Sequence, residues 1–147
     1  MRKLLKSVLV LGLLAALAGP AFAGSPHFVS ATGTVSGNQL TVSAKEAGLG
    51  DEALINVTIS GTALCINNGG SHPKAANKSS PSEGSPVIVQ NGKADYTKTL
   101  TATFTPDCSP PMTVAWTNVK VTDETNNISC SASDPNGLTG TFDLTCK

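Results

Sequence analysis

Between Lys93 and Val121 apolar and polar residues alternate on either side of Cys108. Ala94, Tyr96, Leu100, Ala102 and Phe104 recur at every second position, with Thr97, Thr99, Thr101, Thr103 and Thr105 between them. Successive side chains of a strand point to opposite faces, so this spacing predicts a half-buried strand. Lys98 interrupts the apolar row and implies an edge or a bend. Met112, Val114 and Trp116 form a second row, which resumes out of phase at Val119 and Val121. A β-bulge at Thr117-Asn118, or a strand that bends from one sheet to another, restores the inward phase. Trp116 is the only tryptophan and the natural centre of a core.

The same period runs through most of the chain. Val29, Ala31 and Val35, with Gly33 in their row, predict a first strand; Leu40, Val42 and Ala44 predict a second. The turn residues Ser36-Gly37-Asn38 join them as a hairpin. The segment from Lys45 to Glu52 reads as a Gly-rich connection. Ile55, Val57, Ile59, Ala63 and Cys65 share one face of a long strand over Leu54–Ile66, with Gly61 marking a bulge or a close backbone approach. Asn67 to Pro86 has no periodicity and reads as a loop. Val87 to Gln90 is a short strand, and Asn91-Gly92 is a type I′ turn signal leading into the strand that starts near Lys93. Ile128, Cys130 and Ala132 alternate with serines. Beyond the turn Asp134–Gly137, Leu138, Phe142, Leu144 and Cys146 line a last strand. Eight strands with short connections, one excepted, predict an all-β Greek-key sandwich of immunoglobulin-like type, with a small β-barrel or jelly roll as the alternative.

The start of the chain is different. Arg2, Lys3 and Lys6 precede an apolar run from Val8 to Ala18, and Ala21-Phe22-Ala23 places small residues where a signal peptidase reads. Residues 1–23 are therefore expected to be a secretory signal peptide, and residues 24–147 a single domain. The run is shorter than the roughly 20 residues that span a bilayer, so no membrane insertion is expected after cleavage. Removing 23 of the 147 residues leaves 124. Losing three of ten cations leaves seven lysines against ten acidic residues, a net charge of −3. Nucleic acid is an unsuitable partner for such a chain, because phosphate binding needs a basic footprint. The expected location is outside the cell, or the periplasm if an outer membrane is present.

Cys65, Cys108, Cys130 and Cys146 are even in number in an exported chain and predict two disulfides. Three pairings are open. Cys130–Cys146 across the Asp134–Gly137 turn is favoured, which leaves Cys65–Cys108. No CxxC or Cys/His spacing points to a metal, and no cofactor motif is present.

No motif assembles a catalytic site. His27 and His72 are the only histidines, and no nucleophile elbow accompanies either. The acidic pairs Asp51-Glu52 and Asp123-Glu124 lack the spacing of a calcium loop and read as solvated turn charges. The long loop carries the binding hypothesis, since loops beyond about 12–15 residues are uncommon in compact domains and often functional. Asn67, Asn68, His72, Lys74 and Lys78 are its candidate ligand-binding residues. The threonine row from Thr97 to Thr105 is a second candidate, because regular threonine arrays on flat strands bind ordered surfaces such as ice or polysaccharide. Threonine is also simply a good residue for the wet face of a strand.

Phe28-Val29-Ser30-Ala31-Thr32, Lys45-Glu46-Ala47-Gly48-Leu49-Gly50, Cys65-Ile66-Asn67-Asn68-Gly69-Gly70 and Ala75-Ala76-Asn77-Lys78 together resemble phrases of a group of small exported bacterial β-rich proteins without an assigned activity. The resemblance spans most of the chain beyond residue 23. It implies an exported single domain and brings no chemistry with it. The overall plan is also similar to that of the bacterial chromoprotein apoproteins, secreted immunoglobulin-like domains with two disulfides; the cysteine spacing differs, so that likeness is one of architecture. The expected function is that of a secreted, non-catalytic module that binds an extracellular ligand (polysaccharide, cell surface or protein) or serves as a surface structural element. The alternatives are a small protease inhibitor, with Met112 presented by the segment Cys108–Met112, and a secreted hydrolase.

Overall fold

A computed structural model describes residues 24–67 and 77–147. The expected signal peptide and three of the candidate loop residues, Asn68, His72 and Lys74, lie outside the described residues.

The described chain forms ten strands: β1 His27–Ser36, β2 Gln39–Ala47, β3 Leu54–Ile66, β4 Lys78–Ser79, β5 Ser82–Ile88, β6 Lys93–Thr101, β7 Thr113–Asp123, β8 Ile128–Ala132, β9 Thr141–Asp143 and β10 Thr145–Cys146. They build two antiparallel sheets that face each other without closing into a barrel. One has four strands in the order β6-β2-β1-β9. The other has six, with the path β10-β8-β7-β3-β4 and β5 also paired to β3. The alternating rows make this architecture, because each sheet has one apolar face to bury. Leu40 and Val42 of β2, Ile55, Val57 and Ile59 of β3, and Trp116, Val119 and Val121 of β7 are all completely buried between the sheets.

The phase break in β7 is a bulge. Ser60 pairs with Lys120 and Thr62 with Thr117, so Asn118 and Val119 together oppose the single residue Gly61. Asn118 takes the left-handed conformation, φ 50°, that the extra residue requires. Gly61 is also a close approach: a Cβ there would stand 3.0 Å from Trp116 Cε3 and 3.4 Å from Leu40 Cδ2. The bulge lies where the shift of phase predicted it, whereas the groups that approach Gly61 are side chains and not the expected backbone. Lys98 sits, as its place in the row implied, on an edge strand, β6. It points inward and donates from Nζ to Ser85 Oγ on the other sheet. Inward-pointing charge is one way in which an edge strand is kept from pairing with another molecule.

Both disulfides are present, Cys65–Cys108 and Cys130–Cys146. They close sequence separations of 43 and 16 residues, for which loop-closure entropy gives about 4 and about 3 kcal/mol.

Several expectations are corrected. A second bulge between Phe28 and Ser30 turns Val29 out of the core row, leaving it 62% exposed. The stretch read as a loop up to Pro86 contains β4 and most of the seven-residue β5, which continues into the expected strand at Val87 and pairs along β3 from Ser82↔Ser60 to Ile88↔Leu54. The Asn91-Gly92 turn does form, with Gln90 bridged to Lys93 and both turn residues at positive φ. The strands on its two sides nevertheless belong to different sheets, because β5 pairs with β3 and β6 with β2. The last strand is divided in the same way: β9 pairs with β1 and β10 with β8. Cys146 is exposed, not core-facing.

Candidate functional site

Inward rows bury one face of the four-stranded sheet and leave the opposite face to solvent. The register of its three ladders places the outward residues in transverse rows. Thr99 pairs with Thr41, Thr41 with Thr34 and Thr34 with Thr141, giving a row of threonine on every strand. The neighbouring row is Thr97, Ser43, Thr32 and Asp143. Strands lie about 4.8 Å apart and alternate residues about 6.7 Å apart, so these two rows form a small lattice of hydroxyls and methyls.

The hydroxyls are tied across the strands. Thr41 Oγ1 lies 3.0 Å from Thr99 Oγ1, Ser43 Oγ 2.9 Å from Thr97 Oγ1, and Thr34 Oγ1 3.3 Å from Thr141 Oγ1. Thr32 donates to Asp143 at 3.4 Å. Each hydroxyl has one donor and two acceptor positions, so a cross-strand bond orients the group and leaves capacity for an external partner. β-Branched side chains are stiff at χ1, which lowers the entropy lost on contact. A Lys45–Asp95 ion pair at 3.3 Å borders the rows at one end.

The threonine row read from the sequence is thus only one edge of the array. Thr97, Thr99 and Thr101 belong to β6; Thr103 and Thr105 lie beyond its end. Alternation within one strand marks a wet face, but the contributions of Thr32, Thr34, Thr41 and Thr141 depend on pairings that the sequence does not display.

The loop candidates are not gathered into a site among the described residues. Asn67 is exposed immediately after β3. Lys78 is exposed on β4, opposite Leu64.

A cleft of about 690 Å³ opens at the end of the sandwich where Cys65 and Cys108 join, lined by Val35, Ala102, Phe104, Met112 and Val114, with Asp107 also at its wall. Met112 is half-buried against the core, and its Sδ lies 3.6 Å from Cys65 Sγ. The Cys108–Met112 segment therefore turns this side chain toward the disulfide and the wall of the cleft.

At the opposite end is a group of acidic residues that sequence reasoning missed. Glu46, assigned from sequence to a connection, belongs to β2 and is 1% exposed; Asp123, read as a solvated turn charge, is completely buried. No group of three metal-ligating side chains is assembled among the described residues. No helix among them is long and apolar enough to cross a membrane. Comparison with protein-family models, curated proteins and solved structures finds no match to the chain.

Proposed function

We propose that the chain is an exported, non-catalytic immunoglobulin-like module that attaches to an extended, hydroxyl-presenting polysaccharide surface through the outer face of its four-stranded sheet. The row Thr99-Thr41-Thr34-Thr141, uninterrupted across all four strands, carries this reading. Such a row offers repeated, equally oriented hydroxyls to a ligand that is itself repetitive. Two disulfides suit an oxidising compartment. The immunoglobulin-like assignment is supported by strand order: β1-β2-β6 in one sheet and β5-β3-β7-β8 in the other reproduce the A-B-E and C′-C-F-G neighbours of that fold.

Sedimentation of the protein with insoluble glucan, chitin and peptidoglycan tests the proposal. Binding to at least one of these is expected, together with at least a tenfold loss in the triple variant Thr34→Val, Thr41→Val, Thr99→Val, which keeps shape and strand propensity. Absence of binding to all three, or binding that the variant retains, refutes it. Uptake of the protein into growing ice instead would reassign the face to ordered water.

A further inference from the structure

Two carboxyl groups from opposite sheets meet in the core. Glu46 lies on the inward row of β2 and Asp123 at the end of β7; they are 1% and 0% exposed. Three N–H donors of the turn after β7 are directed at Asp123. Its Oδ1 accepts from Thr125 N at 2.8 Å and from Asn126 N at 3.2 Å, and its Oδ2 from Asn126 Nδ2 at 2.7 Å. Both oxygens of Asp123 therefore already have N–H partners. Glu46 is placed differently. Its Oε1 accepts from Tyr96 OH at 2.5 Å, while its Oε2 is buried with no donor among the described residues. The Asp123 carboxylate is within hydrogen-bonding reach of the Glu46 carboxyl.

Two ionised carboxylates in contact in a core, with no cation to compensate, are prohibitively unfavourable. One proton removes the conflict: carried on Glu46 Oε2, it is donated to Asp123, and every polar atom of the pair then has a partner. We infer that this shared proton is a latch between the two sheets, closed in acidic to neutral surroundings and released above neutrality.

The surroundings agree with this assignment. The titratable groups that act on Glu46 are Tyr96 of β6, Asp123 of β7 and Glu52 of the β2–β3 connection, none of them basic; Lys45, paired with Asp95, and Lys93 line the surface hollow beside it. Glu52 is joined to the same network through Asn126 Nδ2 at 3.1 Å. Burial above all pushes Glu46 up from an ordinary 4.5 to about 7; the Tyr96 bond opposes it, and Asp123 and then Glu52 add to the rise. The folded chain therefore keeps a proton that an unfolded glutamate has already lost. Stability from this group is full below pH 4.5, declines between 4.5 and about 7, and stays low above that. On release the Asp123–Asn126 turn and Glu52 are driven away from β2 and β6, so the sheets part at this end first. This inference does not depend on what the hydroxyl face binds.

Thermal melts of the full chain, as secreted, test the latch. The wild-type Tm should fall by about 5–15 °C between pH 4.5 and 8, with faster amide exchange at Thr125 and Asn126 at the higher pH. Glu46→Gln supplies a permanent N–H donor to Asp123 and should remove most of that slope. A flat wild-type profile, or an unchanged slope in the variant, overturns the inference. Should the variant fail to fold, NMR titration of the Glu46 side-chain carbon in wild type decides: a midpoint near neutrality supports the latch, and one at the ordinary glutamate value refutes it.

Discussion

The two ends of the sandwich are closed by different chemistry. At one end Cys65–Cys108 fixes the β6–β7 crossover to β3, beside an open cleft. At the other, Tyr96 bonds the buried Glu46 of β2, the turn after β7 bonds the buried Asp123, and Asn126 of that turn also donates to Glu52 in the β2–β3 connection; the inferred proton joins the two carboxyl groups. The covalent closure is insensitive to pH and acts mainly by restricting the unfolded chain. The polar closure acts in the native state and depends on the solution. One fold thus has an end that is permanently shut and an end that responds.

Trp116→Ala should erase the distinction. The side chain is completely buried between the two ends, and its loss is expected at the upper limit for such truncations, about 5 kcal/mol. Urea melts should show both ends unfolding together. Replacing Cys65 and Cys108 with Ala should cost about 4 kcal/mol, and by the same amount at pH 5 and pH 8, which marks the covalent end. Asp123→Ala removes the acceptor for three N–H groups and leaves Glu46 without its partner. A loss of about 2–3 kcal/mol at pH 5 is expected, measured by chemical denaturation. The smallest effect belongs to the outer face. Thr41→Val with Thr99→Val should change stability by less than about 0.5 kcal/mol, whatever it does to binding.

The covalent end was legible in the sequence and the polar end was not. Cysteines declare themselves by type, and the rows on β3 and β7 that carry Cys65 and Trp116 have a clear period of two. The bulge at Asn118 was visible because it shifts that period. Glu46 gave no such signal. It follows Lys45 and precedes Ala47-Gly48, so it reads as part of a polar connection, although β2 in fact continues its buried row through Leu40, Val42, Ala44 and Glu46. Only the end of β5, at Val87 and Ile88, reads as strand, because Gly84 and Pro86 break the signal before it, whereas the backbone pairing to β3 tolerates both. The hydroxyl lattice lies between these cases: the row on β6 is local, and its continuation over β2, β1 and β9 is a matter of register.

The bulge in β7 has a meaning for insertion and deletion. Trp116 and Val119 are three positions apart, while their counterparts on β3, Ala63 and Gly61, are two apart. Loss of one residue at Thr117 or Asn118 would bring both strands to the same count. A single deletion normally inverts every side chain beyond it. Here it would leave Val119, Val121 and Asp123 facing the core opposite their present partners. The strand that carries Trp116 therefore contains a position, as β1 does at Val29, where one codon can be lost without turning the core inside out.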